Sequence, residues 1–237
     1  MEHVRMTHRA LFVAAVLALG STLPLAGQQP SPDPGRWEQT IQAWEAEDRT
    51  TPPPEGAIVF VGSSSIRLWT TVREDMSPLT VIHRGFGGSW MHDAVHYADR
   101  IVTSYNPRAV VLYEGDNDVG GGSVSPEDLL AGFKAFVARV HATRPQARVY
   151  FLAIKPSLLR WDNWAAMNRA NMLVKAETET SDLLTYVDVA TPMLGADGKP
   201  PRDLFVQDLL HMTPKGYEIW TSVVRPVLMA REAAHEQ

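Results

Sequence analysis

Ala57-Ile58-Val59-Phe60-Val61-Gly62-Ser63-Ser64-Ser65 is the stretch on which the fold turns. Its first five residues are apolar, β-branched-rich and without polar alternation, which predicts a strand covered on both faces. The glycine and three serines that follow mark a sharp exit from strand to helix. The pattern recurs outward along the chain. Residues 80–83 (TVIH), 109–113 (AVVLY), 148–154 (RVYFLAI) and 184–189 (LTYVDV) read as four more buried strands.

Helical signals separate them. Residues 37–49 predict an amphipathic helix, stopped by Thr50-Thr51-Pro52-Pro53-Pro54. Met91, Ala94, Val95, Ala98, Ile101 and Val102 recur with helical spacing. Ser125-Pro126 has the form of an N-cap followed by proline at the first helical position, and Leu129, Leu130, Phe133, Phe136, Val137 and Val140 form one apolar stripe behind it. Residues 161–180 predict a further helix. Thr213-Pro214 starts the last, with Trp220, Val223, Val224 and Val227 on its buried face; Pro226 is expected to kink or shorten it. Five βα units in succession predict an α/β fold, a doubly wound three-layer α/β/α sandwich with a mostly parallel five-stranded sheet. No internal repeat and no second domain are visible.

Ahead of this domain (57–237), residues 28–56 read as a Pro/Gln/Asp-rich linker (28–36) and the first helix. Residues 1–27 read as a secretory signal: Arg5 and Arg9 precede the apolar run 10–19, and small residues follow at Ala26-Gly27. The expected location is therefore secreted or periplasmic. The apolar run is too short to span a bilayer comfortably; a retained membrane anchor is the alternative, and once the segment is removed no stable span is expected. Gln28 stands where a lipoprotein box needs cysteine. Removing residues 1–27 deletes Arg5, Arg9 and Glu2, a net +1, and takes the formal charge from −5 to −6. No basic patch suited to nucleic acid remains. At 237 residues, 45% hydrophobic and 21% charged, the chain falls in the globular class. It has no cysteine, which excludes disulfides, thiolate catalysis and Cys-ligated zinc.

Parallel α/β sheets bind ligands beyond the carboxyl ends of their strands. Ser64, Gly88 and Asn117 each follow a different strand, so the fold would gather them at one edge. A serine needs a neighbouring base. Ser64 sits at the strand-to-helix turn, although Ser63, Ser64 and Ser65 all suit an N-cap and spacing alone leaves the nucleophile's register open. Among eight histidines, His211 stands out because Asp208, three residues earlier, can fix its tautomer. The Ser64 N–H, a glycine-rich turn at residues 85–88 and the Asn117 amide are candidate oxyanion donors; a plain tight turn and an Asx-turn are the alternatives for the last two. His92 and His96 fall in line with Asp99 and Thr103, a solvated face rather than a metal site, and His83 reads as structural. Asp116-Asn117-Asp118-Val119-Gly120 lacks the closing glutamate of a calcium loop. Neither Gly-x-Ser-x-Gly nor a phosphate-binding Gly-x-x-x-x-Gly-Lys occurs.

Gly62-Ser63-Ser64-Ser65, Gly85-Phe86-Gly87-Gly88, Gly115-Asp116-Asn117-Asp118 and Asp208-Leu209-Leu210-His211 occur in this order, and together they resemble the four blocks of the GDSL or SGNH hydrolase family. The likeness is to the branch with Gly-Ser-Ser-Ser-Ile in place of Gly-Asp-Ser-Leu and spans roughly residues 57–227. It implies a flavodoxin-like sandwich, Ser64 as nucleophile, His211 as base, Asp208 as its orienter, and Ser64, Gly88 and Asn117 as oxyanion donors. It also implies ester hydrolysis without metal or organic cofactor. Two departures stand out. Ser63 replaces an aspartate in the nucleophile block, and Ser89 stands where an aspartate often follows the oxyanion glycine.

The expected substrate is a short acyl or acetyl ester, a small molecule or a carbohydrate. Trp90, Trp161 and Trp164 are candidates to border the site and stack on sugar rings, with core packing as the alternative. Lys155, at the same edge, is expected to form a salt bridge or a solvated end. An acyltransferase or thioesterase with the same triad, and a non-catalytic carbohydrate-binding protein on the same fold, are the competing readings.

Overall fold

The computed structural model describes Met1 and residues 32–236. The expected signal segment, apart from Met1, and the first four residues of the expected linker lie outside the described residues. The sheet consists of β1 (Ile58–Gly62), β2 (Val81–Gly85), β3 (Ala109–Tyr113), β4 (Arg148–Leu152) and β5 (Leu184–Val187). All neighbours pair in parallel, in the order β2-β1-β3-β4-β5. That is the flavodoxin-like doubly wound order.

Each strand divides its side chains between two cores. Val59, Val61, Val110, Leu112, Val149 and Phe151 face one layer; Ile58, Phe60, Ala109, Val111, Tyr150 and Leu152 face the other. Both faces are dry, which is why these strands lack polar alternation. The first layer contains α1 (Glu38–Thr50), α4 (Met91–Ile101), α5 (Pro126–Thr143) and α6 (Trp164–Thr178). The second contains the short α2 (Ser64–Arg67) and α3 (Val72–Asp75), and α7 (Pro214–Glu232).

The differences from the sequence expectations are local. β1 is shifted by one residue, β4 ends at Leu152 and β5 at Val187. Residues 161–163 form a 3-10 turn ahead of α6. The helix α7 is not shortened at Pro226: it runs on to Glu232, because Trp220, Val224 and Leu228 on its sheet-facing side are fully buried. Val223 and Val227 flank that buried row and are only partly covered. The predicted linker is partly structured. Pro34–Trp37 is a 3-10 turn capped by Asp33, pinned by an Arg36–Asp93 ion pair and by the Tyr97 hydroxyl donating to the Pro34 carbonyl (2.9 Å). Trp37 then packs edge-on against Phe86, ring centroids 5.6 Å apart, beneath the glycine-rich turn.

Candidate active site

The turn after β1 presents three serines in two environments. Ser63 and Ser65 are buried, whereas Ser64 is half-exposed as the first residue of α2. The backbone bends there because Ser63 donates its N–H to the Tyr113 carbonyl (3.1 Å) while its own carbonyl accepts from Ile66 and Arg67. The N–H groups of a first helical turn have no intrahelical partner, which leaves donors facing outward beside Ser64.

His211 Nε2 lies 2.9 Å from Ser64 Oγ. On the other side of the ring, Nδ1 lies 2.5 Å from Asp208 Oδ2. An ionised carboxylate only accepts, so this contact puts the ring proton on Nδ1 and leaves Nε2 to accept from the hydroxyl. Burial raises the Asp208 carboxyl's affinity for a proton, but the His211 ring and the N–H groups of Leu210 and His211 outweigh it, and its pKa falls to about 2. The loop that delivers the pair is tightly held. Val206 N–H donates to the His211 carbonyl (2.9 Å), Leu159 N–H donates to the Leu209 carbonyl (3.0 Å), and Leu209 itself sits at φ +62°. A leucine in the left-handed region is strained, and such strain concentrates where a site must be aimed.

The second edge turn lies close by. A methyl at Gly85 would collide with the Arg67 backbone, so glycine lets β2 approach α2. Gly88 is exposed at φ +87°, a conformation that only glycine adopts without strain. Asn117 Nδ2 donates to the Ser89 carbonyl (2.8 Å), tying the third turn to the second. The structure thus joins Ser64, His211 and Asp208 in one hydrogen-bonded series and links Asn117 to the residue after Gly88.

Beneath this surface lies a cluster of charged side chains drawn from the loops after β3 and β4. Lys155, fully buried, donates to Asp116 Oδ2 (2.8 Å), which also accepts from the Tyr113 hydroxyl (3.0 Å). Lys155 is thus the salt bridge expected as one alternative. Arg160 grips the carbonyl and Oδ1 of Asp116 and donates to Asn117 Oδ1 (2.9 Å). Burial favours the neutral form of Asp116, but the two cations prevail and hold its pKa near 2. The opposite holds on the other flank. Glu114 is fully buried, its Oε1 accepting from the Ser89 hydroxyl (2.6 Å), and burial reinforced by the charge of Asp118 drives its pKa well up. Asp118, although it accepts from the Met91 and Gly115 N–H groups, is pushed up by burial to about 7. Ser89, one of the two departures from the family pattern, is therefore a link between Glu114 and Asn117.

Trp90 is half-buried at the N-terminus of α4, its ring edge-on to His92. Trp161 and Trp164 stack on each other, 6.0 Å apart and 14° from parallel, with Lys199 Nζ 6.0 Å from the Trp161 ring. Trp161 follows Arg160 directly, whereas Trp164 is half-buried and packs against both hydrophobic cores, the core packing that was its alternative. His92 is only half-exposed and contacts the Pro32 carbonyl, while His96 is exposed. His83 Nε2 contacts the Ile66 carbonyl (2.6 Å), a structural role, and burial lowers its pKa. No group of metal-ligating side chains occurs among the described residues.

A hydroxyl, imidazole and carboxylate in series at the carboxyl edge of a parallel sheet are the equipment of acyl transfer, and the class is that of carboxylic ester hydrolases. The chain belongs to the GDSL-like Lipase/Acylhydrolase family, whose model matches residues 59–219. Platelet-activating factor acetylhydrolase IB subunit alpha1 of Rattus norvegicus is 29% identical over 211 residues, covering 86% of each chain. Among solved structures, a GDSL-like lipase from Bacteroides thetaiotaomicron superposes with a TM-score of 0.67 at 18% identity, covering 80% of this chain and 97% of the other. An acetylxylan esterase from Geobacillus stearothermophilus superposes at 0.58 with 14% identity, over 72% and 92%. These likenesses show the fold. No helix among the described residues is long and apolar enough to cross a membrane.

Proposed function

We propose that the protein is an exported serine esterase that hydrolyses short acyl esters, acetyl esters foremost, through Ser64, His211 and Asp208. The observation that carries this reading is the unbroken series from Asp208 Oδ2 through the imidazole to Ser64 Oγ, at 2.5 and 2.9 Å. His211 Nε2 takes the hydroxyl proton as Ser64 Oγ bonds to the ester carbonyl carbon. The carbonyl π pair moves onto oxygen, and the resulting oxyanion is met by the N–H groups of Ser64 and Gly88 and by the Asn117 amide. On collapse, the C–O bond to the alcohol breaks and His211 returns the proton to the leaving oxygen. Water, deprotonated by the same imidazole, then cleaves the acyl-serine ester and regenerates the hydroxyl. Asp208 stays ionised and holds the imidazolium.

The acetyl preference draws on the rat relative, which is named an acetylhydrolase. A carbohydrate alcohol portion is the second reading, favoured by the half-exposed Trp161 ring next in sequence to Arg160. Export draws on the basic-then-apolar pattern at the N-terminus. Hydrolysis of a chromogenic acetyl ester by wild type and Ser64→Ala tests the core of the reading. The variant is expected to lose at least about a thousandfold in kcat. Equal activity in both would rule out the serine mechanism, and inactivity of both would favour the non-catalytic binder.

A further inference from the structure

We infer that Arg160 is a positioning residue for the oxyanion site, fixing which way round the Asn117 amide faces. This rests on the reading of Asn117 as an oxyanion donor.

An asparagine amide is nearly symmetric in shape and opposite in polarity at its two ends. Turned one way, it offers N–H to a developing oxyanion; flipped, it offers a lone pair that would repel it. Its two contacts remove the choice. Arg160 is a donor only, so it can sit only against Oδ1, 2.9 Å away. The Ser89 carbonyl is an acceptor only, so it can sit only against Nδ2, 2.8 Å away. One of the two N–H bonds is used there, and the other remains for a ligand. A charged donor on Oδ1 also draws electron density from the amide and strengthens its N–H as a donor.

Arg160 is itself locked. Its other nitrogen holds both the backbone carbonyl and Oδ1 of Asp116, fixing the peptide that leads into Asn117. Asp116 in turn is anchored from below by Lys155 and Tyr113. The guanidinium is 17% exposed and the Asp116 carboxylate 5%, so solvent screens this fork little. Because Arg160 comes from the loop after β4 and Asn117 from the loop after β3, the contact also sets one edge loop against the other.

The test is a double-mutant cycle on acetyl ester turnover with Arg160→Ala, Asn117→Ala and both together. Asn117→Ala is expected to lower kcat about 10²- to 10³-fold, as loss of one oxyanion donor does. Arg160→Ala is expected to lower kcat about 10- to 100-fold with KM changed less than about threefold, since the contact matters once the oxyanion forms. Added to Asn117→Ala, it should cost less than about threefold more, because its partner is gone. Arg160→Lys keeps a cation for Asp116 but lacks the fork that reaches Asn117, and it should behave like the alanine variant. If Arg160→Ala does not fold, the same cycle is read with Arg160→Lys. Losses that multiply in full, or wild-type kcat in Arg160→Lys, would overturn the proposal while leaving the esterase standing. Wild-type turnover that survives Ser64→Ala would overturn the esterase reading, and this inference with it.

Discussion

Asp208 holds His211 at two places with one carboxylate. Its Oδ2 meets the ring Nδ1 at 2.5 Å, and its Oδ1 accepts the backbone N–H of the same histidine at 2.9 Å. The three-residue spacing makes this possible: the loop closes on itself, so one carboxylate reaches both the ring and the backbone of the histidine.

Asp208→Asn therefore predicts a specific failure. The amide can present N–H to Nδ1, which would move the ring proton to Nε2 and leave it pointing at Ser64. A fall in kcat of about 10³- to 10⁴-fold is expected, with thermal stability little changed because the carboxylate is 45% exposed. Steady-state kinetics with a melting curve checks it; retained kcat would mean that the carboxylate does not set the tautomer.

Leu209 sits between the pair at φ +62°. A β-branched residue tolerates that region least and glycine best. Leu209→Ile is expected to lower kcat by distorting the loop, whereas Leu209→Gly should keep stability within about 1 kcal/mol of wild type as relieved strain offsets added chain entropy. Equal kcat in the isoleucine variant would show that the loop does not depend on this backbone conformation.

Lys155 is fully buried against Asp116, and removing it leaves a buried carboxylate with Arg160 as its one ion-pair partner and the Tyr113 hydroxyl as a neutral donor. Lys155→Met should destabilise the fold by about 3–5 kcal/mol in chemical denaturation, the range for a broken buried pair. A loss under about 1 kcal/mol would show the cluster to be far better hydrated than its burial indicates.

The Glu114–Asp118 pair gives stability a pH slope of definite sign. Burial raises both carboxyls above their unfolded values, Glu114 strongly and Asp118 to about 7. The folded protein therefore binds the protons more tightly. This contribution is complete below the unfolded carboxylate pKa and is lost as pH rises through the folded values. Melting temperature should decline from pH 6 to pH 9, and Glu114→Gln, which mimics the protonated acid, should flatten part of that decline. An unchanged slope in the variant would show that Glu114 is already ionised at neutral pH.

The strands were legible because both faces of each are buried, which leaves an uninterrupted apolar run and no competing pattern. The Asp208–His211 pair was legible because it is local. The register of the nucleophile was not legible from spacing, because three adjacent serines satisfy the same turn; the resemblance to the family's blocks pointed to Ser64, and it is this hydroxyl that meets the imidazole 147 residues away. Arg160 left no periodic mark either, since its partners lie 43 and 44 residues earlier on another strand's loop. Pro226 misled for a different reason. The local penalty of a proline is real, but the buried row on the opposite side of α7 outweighs it.

The proposed nucleophile is the hydroxyl of residue 64, and neither of its neighbours. Inactivation with an organophosphonate, followed by peptide mass spectrometry, reads this directly. The adduct is expected on Ser64 alone, with loss of turnover in proportion to labelling. An adduct on Ser63 or Ser65, or full turnover after Ser64 is completely labelled, would contradict the account.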